Sequence, residues 1–265
     1  MKVTTRKRLG LALFSLSVLA MSWGLGQQLP YAIVEPGPAY NVLGENDGID
    51  VIQVSGVPST ENPGSLDLLT ISVWGEPGNT PILMDLIQPF FANDRKIVPI
   101  EAFYPVGQTT EEADALNAKY FEESQAAAIA AAKAALPADI AQSIQVKLSL
   151  AEVGGPSGGL MFALGIIDKA TQGSLTGGKK IAGTGTISAD GSVGAIGGID
   201  FKMISAKRSG DQYFLAPREN CAEVIGNIPN GLNVFAVSNL NDALMALKVI
   251  SADGDISKLP VCSAK

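Results

Sequence analysis

The chain has 265 residues, 46% hydrophobic and 17% charged, with a formal net charge of −7. That is enough for one large core or two modest ones, and the acidic balance argues against a nucleic acid partner. Histidine is absent and the only cysteines are Cys221 and Cys262, which removes Ser-His-Asp triads, Cys-His dyads and the common zinc sites. No metal and no cofactor are expected.

The first element reads as a membrane segment. Lys2, Arg6, Lys7 and Arg8 precede "LGLALFSLSVLAMSWGLGQQLPYAIV", and no charge falls between Arg8 and Glu35. A span needs roughly 20 apolar residues, so residues 1–8 are read as a basic cytoplasmic end and 9–29 as a transmembrane anchor. Trp23 and Tyr31 lie near its outer end, as interfacial aromatics do. The alternative is a signal peptide cleaved near "VLAMS". The basic flank predicts a single-pass protein in the cell membrane with its body, residues 30–250, on the extracytoplasmic side. There Cys221 and Cys262 can pair; one buried thiol and one tail thiol is the other reading.

Next, "PGPAYNVLG" (36–44) is turn-rich and leads away from the membrane. "IDVIQVSG" (49–56) and "LDLLTISVWG" (66–75) read as strands separated by a loop carrying Pro58, Pro63 and Gly64. "TPILMDLIQPFF" (80–91) reads as a short helix. Residues 109–136 form the clearest helix, opened by Thr109 or Thr110 with Glu111 and Glu112 in its first turn and stopped by Pro137. "SIQVKLSLAEV" (143–153) alternates as a strand. A helix is expected from about Ser157 to Ala170, a strand over 179–188, and a hairpin at Asp190-Gly191. A helix over 199–210 is closed by Gly210. Short buried strands at 212–217 and 233–238 and a helix over 239–250, capped by Asn239 or Asn241, complete the body. Residues 251–265 lack apolar periodicity and are expected to be a loose tail. The fold class is α/β (α+β), one catalytic body behind one anchor.

The chemistry concentrates at "GGPSGG" (154–159). A serine hydroxyl is a poor nucleophile until a base removes its proton. Without histidine, the bases available are lysine, aspartate and glutamate, and burial lowers a lysine's pKa toward neutrality. In the turn, Pro156 fixes the entry to Ser157. Backbone N–H groups of Gly154, Gly155 and Gly158 and of Ser157 itself are candidates to hold an oxyanion. The plain alternative is an anion-binding nest or a tightly packed loop. Lys202, beside Ile199 and Ala206 on an apolar helix face, is the candidate base, although a lysine on such a flank usually snorkels to solvent.

"GGPSGGLMFALGIIDKAT" followed by "GTGTISADGSVGAIGGIDFKM" resembles the proteolytic domain of Lon-type serine proteases. The resemblance covers roughly residues 64–250. It implies a Ser-Lys dyad in which Ser157 is the nucleophile and Lys202 the general base, with the Thr184 hydroxyl orienting the lysine. "FEESQAAAIAAA" resembles the helix that precedes the nucleophile in that fold. The anchor, the "PGP" segment and the serine motif are more similar still to the membrane-anchored, YlbL-type branch. That branch usually carries a PDZ domain before the nucleophile strand, and here only residues 137–145 fill the interval. Gly154 stands where Lon itself has an acidic residue, and Gly158 where many relatives have alanine.

No G-x-x-x-x-G-K-[ST] pattern occurs, so cleavage is expected without ATP. The expectation is therefore a membrane-anchored, ATP-independent serine endopeptidase acting on exported or unfolded polypeptides, with homo-oligomers implied by the resemblance. The alternative is a non-catalytic membrane-anchored scaffold on the same fold, and a weaker one a protein that binds a small anion at the "GGPSGG" nest.

Overall fold

The computed structural model describes residues 2–58, 63–151, 153–171 and 174–263, with the side chains of 2–7, 20 and 21 left aside. Part of the expected 57–65 loop, Glu152 of the expected strand, the last two tail residues and the side chains of Lys2, Arg6 and Lys7 lie outside the described residues. In chain order the elements are α1 (Lys2–Leu25), β1 (Tyr31–Asn41), β2 (Glu45–Asn46), β3 (Ile49–Asp50), β4 (Ile52–Ser55), β5 (Ser65–Trp74), α2 (Leu83–Phe91), β6 (Lys96–Pro99), α3 (Thr110–Ala135), α4 (Ala138–Ser143), β7 (Gln145–Leu148), α5 (Gly159–Ala170), β8 (Lys180–Gly183), β9 (Thr186–Ile187), β10 (Val193–Gly194), α6 (Ile199–Ser209), β11 (Tyr213–Pro217), α7 (Cys221–Val224), β12 (Asn233–Val237) and α8 (Leu240–Ser251). The chain forms two compact units, Met1–Glu35 with Val73–Thr110, and Pro36–Ser72 with Glu111–Lys265.

In the smaller unit, α1 is long and apolar enough to cross a membrane between Arg8 and Leu25. The start of β1 pairs antiparallel with β6, Tyr31 opposite Pro99. Helix α2 begins at Leu83, three residues later than the sequence suggests, because Asp85 accepts the backbone N–H of Ile82 at 3.0 Å and sets the first turn there.

The larger unit is built on a sheet in which β12, β11, β8 and β5 are parallel neighbours. The expected α/β class holds. Side chains alternate across these strands. Leu66, Leu68, Ile181, Leu215 and Phe235 join one core with α5, whereas Leu69, Ala182, Phe214, Ala216 and Val234 join a second core with α6. Both faces are therefore covered, as parallel sheets require. Helix α5 is apolar from Gly159 to Ile167 and buried almost throughout, so its position between layers follows from composition. Leu160, Met161, Phe162, Leu164 and Ile166 are fully buried, each contributing roughly 2 kcal/mol. Gly165 permits this depth, since a Cβ there would lie 2.5 Å from Ile52 Cδ1.

Several expectations need correction. The 36–44 segment is largely strand: β1 runs through Pro36 and Pro38. It is the outermost strand of the larger unit, where a residue without an N–H is tolerated. The expected 143–153 strand shrinks to β7, preceded by α4. The 179–188 strand divides into β8 and β9, because Thr184 and Gly185 turn aside to bond Leu215 and Ser157. Helix α5 starts at Gly159, not Ser157. The end of the chain is not loose as far as it is described. Cys221 and Cys262 form a disulfide, the Ala236 N–H donates to the Pro260 carbonyl at 2.8 Å, and Leu259 is buried. The segment thus covers the outer strand β12.

Candidate active site

Helices α5 and α6 lie on opposite faces of the sheet, and both begin beside the C-terminal end of β8. That end of a parallel sheet is where α/β proteins gather binding groups. The turn before α5 brings Ser157, the first turn of α6 brings Lys202, and Thr184 follows directly on β8.

Lys202 Nζ donates to Ser157 Oγ at 2.6 Å and to Thr184 Oγ1 at 3.2 Å. Thr184 Oγ1 in turn donates to the Ser157 carbonyl at 3.1 Å. Lys202 is 2% exposed and Thr184 fully buried, while Ser157 is half-buried and open to an approaching group. Lys202 does not snorkel, because it leaves the helix among the buried Ile199, Phe201, Met203 and Ala206, three of which join the core beneath the sheet. Burial disfavours its ammonium and lowers its pKa from 10.5 to about 7. The entry to α6 depends on Gly198, whose φ of 69° is left-handed and suits glycine.

The nucleophile turn is laced from several sides. The Gly185 N–H donates to the Ser157 carbonyl and the Leu160 N–H to the Gly185 carbonyl. Ser124 Oγ, on α3, donates to the Pro156 carbonyl at 3.0 Å. Gly155 has a φ of 78°, a left-handed conformation costing an ordinary residue about 1–2 kcal/mol.

The backbone groups expected to hold an oxyanion are not equivalent. The Gly155 N–H already donates to the Asn117 carbonyl at 3.0 Å, so the expectation for that residue is corrected. Gly154 is exposed and packs against Asn117, its missing Cβ falling 3.2 Å from the Asn117 Cβ. Among the described residues, the Ser157 and Gly158 N–H groups donate to no protein acceptor. Gly158 is buried, and a Cβ there would meet Leu68 Cδ1 at 2.4 Å; this position is tightly packed.

Beside the serine lies a cleft of 360 Å³ lined by Tyr120, Ser124, Ala127, Pro156, Ile187 and Ala189. Two supporting residues escaped the sequence reading. Asn117 contributes only a backbone carbonyl, which no side-chain pattern signals. Asn220 accepts the Ile196 N–H at 3.0 Å and donates back to the Ile196 carbonyl at 2.8 Å. It thereby clamps the loop that leads into α6, and the adjacent Cys221 is held by the disulfide. Its position before a cysteine was the only hint.

Residues 120–249 match the family described as the Lon protease (S16) C-terminal proteolytic domain. The chain is 34% identical over 96 residues to Lon protease 1 of Borreliella burgdorferi, covering 35% of this chain and 12% of that protein. It is 36% identical over 100 residues to the Lon protease of Aster yellows witches'-broom phytoplasma, covering 36% and 12%. To the Lon protease of Azospirillum brasilense it is 34% identical over 93 residues, covering 34% and 11%. The chain therefore spans only about an eighth of the length of these relatives. The match takes in all three residues that meet at the end of β8, and through residues 120–249 the chain belongs to the Lon protease (S16) proteolytic-domain family.

Proposed function

We propose that this protein is a membrane-anchored serine endopeptidase that cleaves polypeptides with a Ser157–Lys202 dyad and without ATP. The observation that carries the reading is the 2.6 Å contact between Lys202 Nζ and Ser157 Oγ, with the lysine's pKa lowered to about 7 by burial. A base poised near working pH is what general-base catalysis needs.

In this mechanism neutral Lys202 takes the Ser157 proton as Oγ attacks the peptide carbonyl carbon. The carbonyl oxygen becomes an oxyanion, held by the Ser157 and Gly158 N–H groups at the start of α5. The Lys202 ammonium then gives its proton to the departing amine as the C–N bond breaks. Water, deprotonated by the same lysine, attacks the acyl-enzyme; the proton returns to Oγ as the acid leaves. Residues lining the cleft beside Pro156 receive the substrate chain.

The apolar α1 supports the anchor, as in the YlbL-type branch, and the Cys221–Cys262 disulfide supports an extracytoplasmic body acting on exported or unfolded chains. Assembly of several copies belongs to the same proposal and is read by sedimentation. The test is hydrolysis of an unstructured peptide without nucleotide by the wild type, Ser157→Ala and Lys202→Ala. Cleavage lost in both folded variants supports the dyad. A folded wild type that neither cleaves nor reacts with a serine-directed phosphonate or boronate would point to a scaffold.

A further inference from the structure

Helix α2 presents an apolar face that nothing in its unit covers. Leu83, Met84, Ile87, Phe90 and Phe91 are exposed, the two phenylalanines by 74% and 79%. At positions i, i+1, i+4, i+7 and i+8, they share one side of the helix, while Leu86 and Pro89 face inward. The helix's one charged residue, Asp85, is occupied at the N-terminus by the Ile82 N–H. Monomeric soluble proteins rarely leave so continuous an apolar surface in water.

Its place in the chain says what covers it. Gln28 bridges Ile82 in antiparallel fashion, and the Leu29 N–H donates to the Pro81 carbonyl at 2.9 Å. The residues leading into α2 are thus pinned to the backbone only three or four residues beyond Leu25, where α1 ends. A stretch of that length reaches about 10–14 Å. If α1 spans a bilayer, the start of α2 cannot leave the membrane surface. Aromatic and aliphatic side chains on one helix side, without charge among them, suit the boundary between headgroups and acyl chains.

We propose that α2 lies in the membrane interface with Leu83, Met84, Ile87, Phe90 and Phe91 inserted into the lipid, a second attachment beside the anchor. This rests on the reading of α1 as an uncleaved span. The apolar face, tied by the Gln28 and Leu29 backbone to the end of the anchor, then fixes how the smaller unit meets the bilayer.

The test uses the full chain reconstituted in phospholipid nanodiscs. The native cysteines are paired, so an added cysteine accepts a fluorophore selectively. Ile87→Cys and Phe90→Cys carry the probe, Met245→Cys on α8 is the aqueous control, and Leu13→Cys reports the anchor. Lipids bearing acyl-chain nitroxides should quench the probes at 87 and 90 at least twofold and leave that at 245 bright. Full emission at 87 and 90 overturns the inference. Quenching at 13 alone leaves the anchor standing, whereas emission at 13 as well removes the anchor too. Bright probes at 87 and 90 that are shielded from aqueous iodide and cross-link between copies would assign the face to self-association instead.

Discussion

Thr184 donates its hydroxyl hydrogen to the carbonyl of Ser157, 3.1 Å away. That hydrogen is spent, so Thr184 Oγ1 meets Lys202 only as an acceptor, at 3.2 Å. When Lys202 is neutral, one of its N–H bonds points at Thr184 and its lone pair is left for Ser157 Oγ. A single threonine thus sets both the carbonyl of the serine and the direction of the lysine.

Thr184→Val keeps the shape but removes both bonds. It should lower kcat on the order of 10–100-fold with little change in KM, since it misaligns a base without touching substrate. Thr184→Ser should restore most of the rate. Steady-state kinetics on one peptide checks this, and a valine variant with wild-type kcat would contradict it.

The rate should follow the ionisation of Lys202. With its pKa near 7, kcat/KM should rise with pH through about 7 and level off above it, because only the free amine accepts the serine proton. A profile flat from pH 5 to 9 would count against lysine as the base.

The same lysine weakens the fold. Its pKa falls from 10.5 unfolded to about 7 folded. Between those values the unfolded chain binds the extra proton, so this contribution to stability rises with pH and its full cost is felt below 7. The shift corresponds to roughly 5 kcal/mol. Lys202→Met should therefore be inactive yet more stable at pH 6, by up to a few kcal/mol after its lost hydrogen bonds are counted. The gain should shrink toward pH 10. Denaturant midpoints at several pH values measure it.

A second buried charge cluster has the opposite sign. Asp211, 1% exposed, receives no donor at either Oδ among the described residues. Burial, and then the neighbouring Asp67, push its carboxyl up to about 8, opposed by Lys180; Asp67 is also raised by burial. The native state holds a proton here that the unfolded chain releases above about 4. Stability from this group is full below that pH and falls as pH rises toward 8. Asp211→Asn should flatten the loss between pH 4 and 8 and stabilise the protein at pH 9. An unchanged pH–stability curve would refute a proton retained at Asp211.

The disulfide closes a 41-residue separation, which in the chain-entropy account is worth roughly 4 kcal/mol. Cys262→Ser should lower the unfolding free energy by about 2–4 kcal/mol and expose the outer strand β12. If Asn220 next to Cys221 steadies the lysine loop, the rate should fall as well. Denaturation and peptide kinetics with and without reductant read both effects.

Much of this molecule was legible from local sequence. Helices α3, α6 and α8 follow from capping residues, apolar spacing and Gly210, and parallel strands β11 and β12 from short apolar runs, because these signals act over a few residues. The unusual turn at 154–159 was visible too, since four glycines and a proline around one serine mark a special backbone. Other features depended on distant partners. Extended backbone through Pro36 and Pro38 depends on that part of β1 being the outer strand of the larger unit, and the break after Gly183 on Ser157 and Leu215. The ordered tail depends on Cys221.

The sequence by itself determined which groups were available for chemistry: a serine, a lysine and a threonine, and no histidine. It also determined that α1 was long enough to span a bilayer. Only the tertiary structure decided that Lys202 turns inward instead of reaching for water. Helix periodicity placed it on the flank of an apolar face, but whether that flank meets solvent depends on the sheet and helices packed around it. Burial is a property of that whole environment, and burial is what brings the amine near neutrality. The same packing brought two helix starts from opposite faces of a sheet to one strand end, where Thr184 links them.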